Sequence, residues 1–150
     1  MKALRMFVLA GLLLMALPTA GAIAATDEDP PERMFDAINE VRANHGLAPL
    51  RAAPKLLHAA GRKARAVIRS DSFNHGSSYR NTGFRTAGEA MAYNRGWSTR
   101  TGAAIRMWLR SPGHRALVLS QSFRYVGAGI ARGRFGGAPT TIWVAQFGAH

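Results

Sequence analysis

Residues 103–119 read AAIRMWLRSPGHRALVL. The segment begins as an amphipathic helix, with Ala104, Met107 and Trp108 recurring at helical spacing. It breaks at Ser111-Pro112. Ser111 suits an N-cap, and Pro112 suits the first position of a new helix because it has no N–H to leave unpaired. His114 then falls in the first turn of the second helix, ahead of Leu117, Val118 and Leu119. A helix that ends on a bulky Trp and passes straight into a capped turn fixes an imidazole in space. Local spacing alone reads more simply as an ordinary turn with a solvent-facing His. The rest of the chain changes that balance.

Downstream, residues 125–132 alternate large residues with glycines. Residues 140–147 alternate Ile142 and Val144 against Trp143, Ala145 and Phe147. With a flexible loop at 133–139 between them, these are two antiparallel strands. Upstream, Asp29 is a predicted N-cap, with Glu32 three residues on as in a capping box. The helix it opens runs to about Asn44, burying Met34, Ile38 and Val41, and Gly46 ends it. A second helix starts near Pro54. Its inner stripe is Leu57, Ala60, Ala64, Val67 and Ile68, its outer face is Arg62, Lys63, Arg65 and Arg69, and His58 lies exposed off the stripe. Residues 71–88 form a long polar loop, a feature that is often functional in a compact domain. It carries Phe73-Asn74-His75 and closes on Gly88-Glu89. A short strand at 90–93, a turn at 94–98 and a cap at Ser98 complete the path to the Trp108 helix. Helices first and strands last predict an α+β layered domain.

The N-terminus stands apart. Lys2 and Arg5 precede an apolar run over 6–17, and Ala22-Ile23-Ala24 is an A-x-A processing signal. Residues 1–24 are therefore predicted to be a signal peptide, 25–33 an acidic leader, and 34–150 the folded domain. The run is too short for a convincing span, so no stable membrane span is expected after cleavage. A secreted protein, extracellular or periplasmic, follows. There is no cysteine, which removes disulfides, thiolate metal sites and cysteine nucleophiles together.

The net charge is +12 in 150 residues. Six of the eight acids lie before Val41, and from there on only Asp71 and Glu89 remain. Such a surface attracts polyanions. Its basic residues are spread rather than interleaved with aromatics in one block, so a non-specific polyanion contact is expected and a specific nucleic-acid reader is not.

Three polar residues sit where the pattern constrains the backbone: His75, Glu89 and His114. Glu89, between Gly88 and the apolar Ala90-Met91-Ala92, is a candidate buried carboxylate, costly unless paired. Two imidazoles and a carboxylate suffice for a divalent metal with open positions or for acid–base work. They serve equally as a structural hydrogen-bond network. H-E-x-x-H, G-x-S-x-G and a phosphate-cradling glycine loop are all absent from the sequence.

The order of segments resembles the CAP superfamily (sperm-coating protein, antigen 5 and pathogenesis-related type) in its short bacterial secreted form. The matching pieces are Phe35-Asp36-Ala37-Ile38-Asn39-Glu40-Val41-Arg42, Gly46-Leu47-Ala48-Pro49-Leu50 and the Leu57…Ala60 helix. Phe73-Asn74-His75, Gly88-Glu89, Trp108-Leu109-Arg110-Ser111-Pro112-Gly113-His114-Arg115, Val126-Gly127-Ala128-Gly129 and Trp143-Val144-Ala145-Gln146-Phe147-Gly148 follow. The resemblance implies an α-β-α sandwich with a small antiparallel sheet and a cleft lined by two His and two Glu. The histidines map to His75 and His114, and the resemblance implies that such a pair can hold a divalent metal, often zinc. One Glu maps to Glu89. Two departures stand out. The family's G-E-N reads Gly88-Glu89-Ala90, and the second Glu is replaced by Arg110 and Ser111. With one carboxylate fewer, cation binding is expected to be weaker.

No shared reaction follows from the fold. The expected function is a non-enzymatic binding domain whose cleft at His75, Glu89 and His114 takes a small or lipid-like ligand or a cell-envelope component, with metal assistance from zinc at His75 and His114. The alternatives are a metal-dependent hydrolase with Glu89 as base, and a polyanion-binding module acting through the basic surface.

Overall fold

The computed structural model describes residues 29–150. The signal peptide expected at 1–24, and the leader up to residue 28, lie outside the described residues.

The first helix, α1 (Pro30–Asn44), opens on two prolines, so residues 30–33 of the expected leader form its first turn. Asp29 occupies the N-cap position through its backbone, its carbonyl accepting from the Glu32 N–H at 2.8 Å, and the expected side-chain cap is not made. Met34, Ile38 and Arg42 are its buried residues. Arg42, rather than Val41, takes the third place on the inner stripe because three carbonyls need a donor there. Its Nε donates to the Ala48 oxygen at 3.0 Å, and its Nη1 donates to the Val118 and Ser120 oxygens, each at 2.8 Å.

A two-residue strand, β1 (Arg51–Ala52), precedes α2 (Pro54–Ser70). The inner stripe of α2 begins with Leu56, not Leu57, which is 43% exposed. The cause lies in the sheet. A Cβ at Gly127 would stand 2.0 Å from the Leu57 nitrogen, and one at Gly129 would stand 2.3 Å from the Gly61 nitrogen. The α2 backbone thus rests directly on strand glycines, and alanines suffice to fill its buried face.

Strand β2 (Thr86–Arg95) is far longer than the four residues expected, and the preceding loop is interrupted by a 3-10 turn at Ser78–Thr82. Pairing decides this. Thr86 to Glu89 lie in register with Ala149 to Gln146 of the last strand, and partner hydrogen bonds outweigh weak local strand propensity. Arg100, not the expected Ser98, takes the N-cap position of helix α3 (Thr101–Arg110) and makes no side-chain cap bond. The Ser98 hydroxyl lies two residues too early and accepts from the Arg100 N–H at 3.3 Å instead. Its buried residues are Ala104, Ile105 and Trp108, and Met107 faces outward, 38% exposed. Helix α4 (Pro112–Val118) starts at Pro112 as the sequence indicates, although the Ser111 hydroxyl makes no cap bond.

Strands β3 (Tyr125–Phe135) and β4 (Ala138–Ala149) meet through Gly136-Gly137, both at positive φ (+55° and +75°). This is a tight two-residue turn, not the seven-residue loop expected. The sheet order is β1-β3-β4-β2, antiparallel except where β1 pairs parallel with β3. Met91, Ile142 and Val144 face α2, while Ala90, Ala92, Trp143, Ala145 and Phe147 face α1, α3 and α4. The expected α-β-α sandwich is therefore present, built on a four-stranded mixed sheet.

Candidate functional site

Glu89 lies inside β2, on the same face of the sheet as Met91, with its side chain wholly buried. Directly across from it in register on β4 is Gln146, whose Nε2 donates to Glu89 Oε2 at 2.7 Å. The other carboxylate oxygen meets His75 Nδ1 at 3.2 Å. Burial holds the Glu89 carboxyl above its ordinary pKa. The Gln146 hydrogen bond, the His75 hydrogen bond and the Lys63 charge oppose that rise without cancelling it.

His75 stands on the loop after α2, about half exposed. His114 comes from α4 on the other side of the sheet, and the two imidazole centroids are 5.8 Å apart. Because β2 is an edge strand, loop and helix meet around its margin. That is how residues 39 positions apart in sequence come to face each other. Burial, and then the neighbouring His75 charge, lower the His114 pKa.

The structure thus brings the three expected residues together, and adds two that sequence reasoning missed. Gln146 was visible as a polar residue continuing the inward alternation Ile142, Val144. Lys63 had no comparable signal, since its place on the basic face of α2 resembles that of its neighbours.

A groove of about 420 Å³ opens beside His114, bordered by Phe73, Met91, Tyr93, Met107 and Ser111. Phe73, Tyr93 and Met107 are each 38% exposed. Phe73 packs edge-on against Tyr93, with centroids 5.2 Å apart. The outward turn of Met107 therefore supplies a groove wall. A second apolar groove, about 400 Å³ and lined by Pro31, Phe35, Pro54 and Leu57 among others, has no imidazole at its margin.

As a metal centre, the donor set is short. Both Glu89 oxygens are engaged, leaving two imidazoles, and among the described residues no group of three or more His, Cys, Asp or Glu is placed to hold an ion. Ser111 at the groove margin and exposed Arg110 replace the second carboxylate that the resemblance led one to expect. With Glu89 meeting His75 from behind at Nδ1, two imidazoles are all that the cleft offers a cation.

The sequence profile of the cysteine-rich secretory protein family (CAP) matches residues 35–147. This chain belongs to the CAP family. Among solved structures, an extracellular protein containing an SCP domain from Bacillus anthracis str. Ames is 23% identical with TM-score 0.62, covering 81% of this chain and 40% of its own. The chain therefore spans about two fifths of that relative. An outer surface protein of Borrelia burgdorferi is 18% identical with TM-score 0.64, covering 79% of this chain and 91% of its own. Venom allergen-like protein 4 of Schistosoma mansoni is 12% identical with TM-score 0.65, covering 81% and 89%. At these identities the likeness is one of fold. No curated protein matches the chain. This CAP domain has no cysteine at all, so no disulfide holds it. No helix among the described residues is long and apolar enough to cross a membrane.

Proposed function

We propose that this protein is an exported binding domain, not an enzyme. Its cleft takes a ligand with an apolar body and a polar end, of lipid or cell-envelope type. The observation that carries this is continuity: the apolar groove of Phe73, Tyr93 and Met107 runs directly to His114, and so to His75 and Glu89. A few polar groups at one end of an apolar cleft are what orient a ligand. Export rests on the A-x-A pattern at residues 22–24.

A divalent ion such as zinc fits as an accessory, held by His75 and His114. When bound it would supply a Lewis-acidic anchor for a ligand oxygen. Glu89 does not serve as a free general base, because Gln146 and His75 occupy both its oxygens. That favours binding over hydrolysis. Zinc titrated by calorimetry is expected to bind one-to-one to the wild type and to lose that binding in His75→Ala/His114→Ala.

The test of the cleft is titration with a fluorescent long-chain fatty acid. Met107→Glu and His114→Ala should each weaken binding about tenfold, the size of one lost buried contact or charge-assisted hydrogen bond. Binding unchanged in both variants would place the ligand elsewhere and overturn the proposal.

A further inference from the structure

Lys55, His58 and Arg62 are spaced three and four residues apart on α2 and so share one helix face. They overlook Asn81, Thr82 and Gly83, where the 3-10 turn ends, and these six residues line a pocket of about 320 Å³. Among the described residues no carboxylate lines it, and neither Lys55 nor Arg62 forms an ion pair. The turn is held firmly, since the Thr82 hydroxyl donates to the Tyr79 oxygen at 2.7 Å. A side chain at Gly83 would meet the Lys55 ammonium, whose nitrogen lies 3.8 Å from the Cβ position. Lys55, Thr82 and Gly83 also border an adjoining hollow of about 370 Å³, where Phe84 and His150 stack with centroids 4.6 Å apart.

We infer that this pocket binds the phosphate group of a phosphate ester, with the apolar part of the ligand lying toward Phe84 and His150. Two unpaired cations converging on a concavity repel each other until an anion enters. The Arg62 fork and the Lys55 ammonium match phosphate oxygens, and the Asn81 amide adds a donor. The basic surface as a whole concentrates anions without selecting among them. The selection comes from the pocket, which is separate from the His75–His114 cleft.

The experiment compares the full chain with Lys55→Gln/Arg62→Gln and with Arg100→Gln/Arg106→Gln, Arg100 being the N-cap residue of α3. The second variant removes the same two charges from exposed positions at α3. The probes are phenyl phosphate in solution, and phosphatidylcholine vesicles with or without phosphatidic acid. The pocket variant should lose about tenfold or more in affinity, and the α3 variant about twofold or less. Loss on phenyl phosphate would identify a soluble ester as a sufficient ligand, and loss on vesicles alone would identify a lipid headgroup. Equal losses in the two variants, or no binding of either probe by the wild type, would overturn the inference.

Discussion

Glu89 and Gln146 face each other across β2 and β4, and their 2.7 Å hydrogen bond is buried in the layer between the sheet and α2. Among the described residues, the Gln146 Oε1 atom has no hydrogen-bond partner. Gln146→Leu would leave one Glu89 oxygen unpaired while removing that orphan acceptor. The expected cost is about 1–3 kcal/mol at neutral pH by urea denaturation, with the Glu89 pKa driven further up. A loss below about 0.5 kcal/mol would show that the amide does not support the carboxylate.

The pH dependence of stability separates the two titrating groups of the cleft. The folded protein holds the Glu89 proton more tightly than the unfolded chain does, mainly because of burial. Its contribution is therefore full below the unfolded-state pKa and is lost as pH rises through the raised folded value. His114 is shifted downward, so its contribution is present above its ordinary pKa and is lost as pH falls through the lowered one. Comparing wild type with Glu89→Gln cancels the histidine. With a chelator present, the wild type should gain stability relative to the variant as pH is lowered from neutral into the carboxylate range. A pH-independent difference would contradict a desolvated Glu89.

Trp108 is fully buried among residues of α1, α3, α4 and the sheet, and its indole N–H has no hydrogen-bond partner among the described residues. Trp108→Ala should cost about 3–5 kcal/mol by chemical denaturation. Trp108→Phe, which also removes the orphaned donor, should cost clearly less. Equal losses would mean that the N–H matters and the ring volume does not.

Gly127 and Gly113 contrast two uses of glycine. A Cβ at Gly127 would collide with the Leu57 nitrogen at 2.0 Å, whereas nothing lies within 4 Å of one at Gly113. Gly127→Ala should therefore push α2 off the sheet and lower the melting temperature sharply. Gly113→Ala, inside α4, should stabilise by up to about 1 kcal/mol. Similar melting temperatures for the two variants would refute the close approach of α2.

Much of this was legible in the sequence, and the failures share a cause. Helix α1, the Ser111-Pro112 break and the alternation of β4 are set by local spacing and turn chemistry, and they stand where they were read. The length of β2, the two-residue β1 and the depth of Arg42 depend on partners distant in the chain, which spacing does not reveal. Met107 and Leu57 were placed inward because an apolar residue at helical spacing reads as core. The structure turns both outward, where Met107 walls the cleft. His75, Glu89 and His114 were found because a lone carboxylate in a basic domain is conspicuous. Gln146, being neutral, was not.

The most direct measurement of the central claim is an amide NMR map of the ¹⁵N-labelled protein titrated with an unlabelled long-chain fatty acid. Shifts should concentrate at Phe73, Met91 to Tyr93, Met107, Ser111 and His114, and saturate together. Shifts confined to the groove of Pro31, Phe35 and Leu57, with the cleft silent, would contradict the account.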